Sequence, residues 1–279
     1  MSRKKVPSPK WQVQEALKDQ IKFGQSKYKA KLDRLPGQRA PEGVFSYSTH
    51  DTYVKRGESF LKWARETHGT KWLADAEKHA PEYLQQRVDQ GHSAWTLQLE
   101  RAALRKIYKN QDLAKNVQLP ERRKVNTQRS RGAKPSDVNF SELKNQDLVN
   151  FSKATGLRRM ELKAVRVDQI KVLPNDTVYL VGIKGKGGRV RDVPVLKGHE
   201  KTILEASATA QGRGDIKVWT NVPGHMDVHG YRREYAQALY RQHNNGQDYV
   251  KYHPNHTVLM IVSNALGHSR EDVVIQNYL

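Results

Sequence analysis

Apolar positions recur three and four residues apart through much of the first 110 residues, and this spacing predicts helices. Tyr53, Gly57, Phe60, Leu61 and Ala64 make one stripe, with Ser48 or Thr49 as the capping residue. Trp72, Leu73, Ala76, Tyr83, Leu84 and Val88 make a second, on one helix or on two short ones broken at Pro81. Gly91 suits the left-handed position just beyond its end. Ser93 opens a third helix, with Trp95, Leu99, Ala102, Ala103, Lys106 and Ile107 along one face. No strand pattern appears before residue 119, so residues 41–119 are expected to form an all-helical domain behind a loop at 41–47. Residues 1–40 read as a polar arm with at most one helix, Trp11 to about Phe23.

From Phe140 the pattern becomes mixed. A helix is expected over 141–153, and a further helical turn at Glu161 to Val165 after the break at Thr155-Gly156. Three β-rich segments follow, at 167–172, 177–183 and 189–195. The first turn between them is Pro174-Asn175-Asp176 and the second runs from Lys184 to Gly188. The chain is helical again after about Glu200, with helices expected at 228–241, 257–266 and 272–278. Residues 120–136 lack periodicity and separate this second domain, 137–279, from the helical one.

Charge changes this picture from a fold to a partner. Lys and Arg number 49 against 29 Asp and Glu, a formal charge of +20 in 279 residues. The excess is uneven. Residues 1–40 hold eleven cations against Glu15, Asp19 and Asp33, and residues 120–136 hold Arg122, Arg123, Lys124, Arg129, Arg131 and Lys134 against Glu121 alone. A basic arm and a basic strap suit a polyanion, and double-stranded DNA is the expected partner. Lys55, Lys62, Arg65, Arg101, Arg105 and Lys109 dot the helical domain, as a solvated face or a DNA-facing one. The absence of cysteine excludes disulfides, zinc ribbons, iron–sulfur sites and thiol nucleophiles. The longest strongly apolar run, Val258 to Val262, is far short of a membrane span, and the polar N-terminus carries no signal-peptide core. A soluble intracellular chain is expected.

Candidate chemistry is weak when taken singly. Lys184-Gly-Lys186-Gly-Gly lacks the phosphate-loop frame and sits between strands rather than strand and helix. The pairs His225/His229 and His253/His256 have helical spacing without a carboxylate pattern, so structural or solvent-exposed histidines are expected, and no metal or cofactor.

Read in order the groups are specific. Thr155-Gly-Leu-Arg158 with Glu161-Leu162, Gly185-Lys186-Gly running to Val193-Pro194, His229-Gly-Tyr-Arg232, Leu266-Gly-His268 and Tyr278 follow one another along the chain. This order resembles the tyrosine recombinase (phage integrase) family, whose signature is Arg, Lys, His-x-x-Arg, His or Trp, and Tyr. The resemblance covers residues 48–279, strongly from Ala154 onward. It implies a mostly α fold with a small β-sheet: a helical core-binding (SAM-like) domain and a mixed α/β catalytic domain. It implies six catalytic residues: Arg158, Lys186, His229, Arg232, His268 and Tyr278. Lys184 competes with Lys186, which is preferred for its fit to Gly-Lys-Gly.

The residue types match the chemistry. Guanidinium groups bind phosphoryl oxygens in bidentate fashion, as Arg158 and Arg232 would. A phenol of pKa about 10 needs a neighbouring base to act as a nucleophile. The family assigns that proton transfer to the equivalent of His229, a phosphoryl hydrogen bond to that of His268, and general-acid duty to that of Lys186. Glu161 reads as a capping or arginine-orienting carboxylate. The activity implied is a site-specific recombinase or integrase that cuts and rejoins DNA through a 3′-phosphotyrosyl link, without a metal or a nucleotide cofactor. A type IB topoisomerase-like relaxing enzyme and a non-enzymatic DNA-binding protein are the alternatives. The resemblance also implies a homo-oligomer, dimer to tetramer, on the DNA of a mobile element in the prokaryotic cytoplasm. Three departures stand out. Arg233 follows the catalytic Arg where many relatives have His, His268 to Tyr278 is one residue longer than in many, and the sequence stops one residue after Tyr278, where relatives usually continue into a segment that docks on a neighbouring protomer.

Overall fold

Ser46 accepts a hydrogen bond from the Thr49 amide and so opens the longest helix, Tyr47–His68 (α3), which Gly69 ends in the left-handed conformation. The cap is therefore two or three residues earlier than expected, because Ser46 is the hydroxyl that stands in extended backbone ahead of the first turn. The structure is a computed structural model and describes residues 6–34, 41–123 and 139–279. The chain divides into two compact units, Met1–Gln128 and Arg129–Leu279. Of the basic strap expected at 120–136, residues from 124 onward lie outside the described residues, as do residues 1–5 and 35–40 of the arm.

In the first unit α3 is preceded by Pro9–Leu17 (α1) and Lys27–Leu32 (α2). It is followed by Leu73–Ala76 (α4), Ala80–Asp89 (α5) and Ala94–Ile107 (α6). The arm is thus not a loose polar segment with one helix. Val13 and Leu17 of α1 are fully buried in the helical core, and Gln12 of α1 donates to the carbonyls of Pro7 and Lys71 and accepts from the Leu73 amide. Two apolar residues among many cations hide this stripe from a reading of charge. Gly57 makes the room: a Cβ there would stand 2.6 Å from Ile107 Cδ1 and 2.8 Å from Val13 Cγ1.

The core face of α6 also differs from expectation. Leu97, Glu100, Ala103, Leu104 and Ile107 are buried, whereas Ala102 is exposed and Trp95 and Leu99 are half-buried. A sequence reading avoids a buried glutamate, but here two arginines neutralise it. Arg87 donates to both Glu100 oxygens at 2.8 and 2.9 Å, and Arg56 adds a contact at 3.4 Å. Trp72, expected inward, is exposed. Several outer cations hold the fold itself: Arg65, Arg101 and Arg105 donate to backbone carbonyls of the loops beside them.

The second unit begins with Gln146–Thr155 (α7) and Arg159–Leu162 (α8). An antiparallel three-stranded sheet follows, in the order Ile170–Val172 (β1), Val178–Lys184 (β2), Val190–Pro194 (β3). Glu200–Gly212 (α9), Val228–His243 (α10), His256–Ala265 (α11) and Glu271–Asn277 (α12) complete it. Phe151, Leu157, Leu162, Leu180, Val193, Tyr235, Leu239, Leu259, Val262, Leu266 and Val274 form one core beneath the sheet and between the helices. The fold is mostly helical with a small sheet, as the motifs imply. Among the described residues no helix is long and apolar enough to cross a membrane.

Candidate active site

Most of the expected residues sit at or near the end of an element. Gly156 terminates α7 with φ +57, and a Cβ there would lie 2.3 Å from Tyr235 Cδ1, so both backbone and packing require glycine. The sharp exit delivers Arg158 as the residue that precedes α8. Its amide donates to Glu161 Oε2 at 2.8 Å and its guanidinium to Glu161 Oε1 at 2.9 Å. The neighbouring Arg159 points elsewhere and donates to the carbonyls of Pro223 and Met226.

Arg232, in the second turn of α10, is fully buried. It donates to the carbonyls of Gly156 and Leu266 and, from Nε at 3.1 Å, to the hydroxyl of Tyr278. Its charge also lies 5.5 Å from the Tyr278 ring centre. Tyr278 follows α12 directly and is itself buried. His268 completes the group, with Nε2 3.4 Å from the Tyr278 hydroxyl and 3.4 Å from an Arg158 terminal nitrogen. Arg158, Arg232, His268 and Tyr278 are therefore one connected set.

Lys186 and His229 are exposed and line a cleft of about 450 Å³ together with Arg158, Arg232, Lys184 and His225. Both Lys184 and Lys186 border this space, so position alone does not separate them. The resemblance gave the phenol's proton to His229, but the histidine beside the phenol here is His268.

Burial pushes the His268 imidazole down, and Arg158, Arg232, Arg191 and Arg189 push it further, to about 4. It is neutral near pH 7, so one ring nitrogen is a free acceptor. Burial alone would raise Glu161. The hydrogen bonds and charge of Arg191, then those of Arg158, outweigh burial and hold the carboxylate at about 2.

Arg191 is the residue that motif reading passed over. It pairs with both Glu161 oxygens, at 3.1 and 2.9 Å, and its Nε donates to the Ala265 carbonyl at 2.7 Å. The pair lies against two motif glycines. A Cβ on Gly185 would be 3.1 Å from both Arg191 Nη1 and Glu161 Oε1, and one on Gly267 would be 3.1 Å from the Arg191 side chain. One buried ion pair thus sets Arg158, underlies the turn that bears Lys186 and backs the loop that bears His268. The signal was available: β3 alternates, so Arg191 shares the inward face of Val193, and an inward arginine requires a buried acid. Arg189, two residues earlier, donates to the His268 carbonyl at 2.6 Å and to Ser269.

Residues 40–111, which contain α3 to α6, match the family model for the phage integrase N-terminal SAM-like domain. These helices are thus similar to a phage integrase SAM-like domain. The ordered motifs of the second unit resemble the same family. Looser likenesses extend over both units. The Tn1549 transposon integrase in complex with circular intermediate DNA is 13% identical, with a TM-score of 0.44 over 82% of this chain and 94% of its own. A variant of that integrase in complex with transposon right end DNA is 13% identical, with a TM-score of 0.47 over 91% and 95%. The XerA recombinase is 15% identical, with a TM-score of 0.35 over 96% and 94%. At TM-scores below 0.5 none of the three adds to what the site geometry shows. No curated protein sequence matches the chain.

Proposed function

We propose that the chain is a site-specific DNA recombinase or integrase, a tyrosine-type strand transferase that acts on the double-stranded DNA of a mobile element. One observation carries this reading: the Tyr278 hydroxyl lies 3.1 Å from Arg232 Nε and 3.4 Å from His268 Nε2, and the Arg158 guanidinium stands 3.4 Å from that same ring nitrogen. The SAM-like domain and the +20 charge support DNA as the substrate.

In this mechanism the Tyr278 oxygen attacks the scissile phosphorus and gives up its proton to the neutral His268. A bond forms from phosphorus to the phenolic oxygen while the bond to the 5′ oxygen breaks. Lys186, at the turn between β2 and β3, protonates the departing oxygen. Arg158 and Arg232 hold the non-bridging oxygens. Three of the five Arg232 N–H donors are committed to Tyr278, Gly156 and Leu266, which leaves two for phosphate. Preorganised donors of this kind are each worth about 3–4 kcal/mol to a developing oxyanion. His229, at the cleft, adds a further phosphate contact. Attack by a second strand's 5′ hydroxyl reverses every step and conserves the bond energy, with two to four copies of the chain assembled on the DNA.

A nicked suicide duplex bearing a site selected from random sequences tests the reading. The native chain should form a covalent 3′ adduct, whereas Tyr278→Phe should bind equally well and form none. An adduct with the variant would remove Tyr278 as the nucleophile. Binding without any adduct from the native chain would leave a DNA-binding protein only.

A further inference from the structure

A second cluster of chemistry-bearing side chains lies in the helical unit, away from anything the strand-transfer reading uses. His68 is the last residue of α3, His79 stands in the short turn between α4 and α5, and Glu82 lies in the first turn of α5. One ligating atom from each lies within 4.8 Å of the other two. The two imidazoles stack face to face, with centroids 3.8 Å apart and 10° between planes, and His68 Nε2 is 3.1 Å from Glu82 Oε2.

We propose that His68, His79 and Glu82 form a three-ligand site for a first-row divalent ion, zinc by preference. Two imidazoles and one carboxylate are a nitrogen-rich donor set that suits zinc and disfavours magnesium or calcium. The local charge agrees. In a chain of +20, residues 73–82 reverse the sign, with Asp75, Glu77 and Glu82 against Lys78 alone. The cluster borders a surface cleft of about 940 Å³ lined by His68, Lys71, Trp72, Asp75, Glu77 and Lys78, so an ion reaches it without unfolding.

Metal bonds of about 2.0–2.1 Å require the ligand atoms to draw closer than they now stand. Rotation of the exposed Glu82 side chain and of one imidazole out of the stack, so that both ring planes contain the ion, supplies this. Three protein ligands leave a fourth position open to water. The ion would staple the end of α3 to the start of α5 across residues 69–78, whose Lys71 carbonyl already accepts from Gln12 and Arg65. Its effect is on the stability of the SAM-like domain rather than on the chemistry of strand transfer.

The test uses the full untagged chain, stripped with a chelator and titrated with cobalt(II) and then zinc. One equivalent of cobalt should produce the visible absorption of a four-coordinate site, and zinc should displace it. Saturating zinc should raise the Tm by about 5 °C. His79→Asn and the double variant His68→Asn/His79→Asn should lose both responses. Glu82→Gln, a milder change, should weaken cobalt binding at least tenfold. His253→Asn should change neither. No saturable one-equivalent band, or the same band and Tm rise in the double variant, would overturn the site.

Discussion

Arg191 carries no role in the ordered signature, yet it connects more of the site than any residue within it. Arg191→Met leaves a buried carboxylate with only Arg158 to answer it, and should cost about 3–5 kcal/mol in urea unfolding. The double change with Glu161→Gln should cost less than the sum of the two single changes, because the second removes the charge that the first stranded. His268 yields a pH signature. Its folded value of about 4 lies below the ordinary 6.5, so between those values the unfolded chain binds a proton that the folded chain does not. Stability should therefore rise with pH from about 4 to 6.5, and His268→Gln should flatten that slope. The depressed Glu161 works in a lower window: its contribution is complete above about 4.5 and is lost as pH falls toward about 2. Arg158, Arg232, His268 and Tyr278, which lie together in the fold, stood out in the sequence because their types and order carry the resemblance. Arg191 was legible only as an inward arginine on β3; its partner, thirty residues away across the fold, was not.

Helix boundaries and stripes were legible wherever apolar spacing coincided with burial, as in α3, α10 and α11. They were lost where a polar group was buried by compensation. Glu100 turned α6 so that Leu97 and Leu104 face the core, and the sequence offers no local sign of the two arginines that make this tolerable. The helix of α1 was expected, but its buried face was lost for the opposite reason, two buried apolar residues among cations. The crossing of α1, α3 and α6 at Gly57 gives the element-scale prediction. Gly57→Ala should destabilise the helical unit by about 1–3 kcal/mol, read by denaturant unfolding, because its Cβ meets Val13 and Ile107 from both neighbours. If α1 were a detached arm, a matching loss would not follow from deletion of residues 1–20.

At the scale of the molecule, two separate cores carry one large excess of positive charge. On the proposed function, affinity for duplex DNA should fall steeply and linearly on a log–log plot against salt, with a slope of about −0.9 for each phosphate neutralised. A nearly flat plot from filter binding or fluorescence anisotropy would contradict a clamp built on charge. Arg232 bears on how such chains are read as populations. It fastens the carbonyls that end α7 and α11 while it faces the phenol, so folding and chemistry depend on the same guanidinium. A lineage that stops cutting DNA is free to discard Tyr278 or the exposed Lys186, but it must keep Arg232 to stay folded. Presence of that arginine in a distant sequence is thus weak testimony to activity, and its replacement is a poor way to make a silent enzyme. On the proposed function, Tyr278 and Lys186 are the markers that distinguish a working copy from a relic.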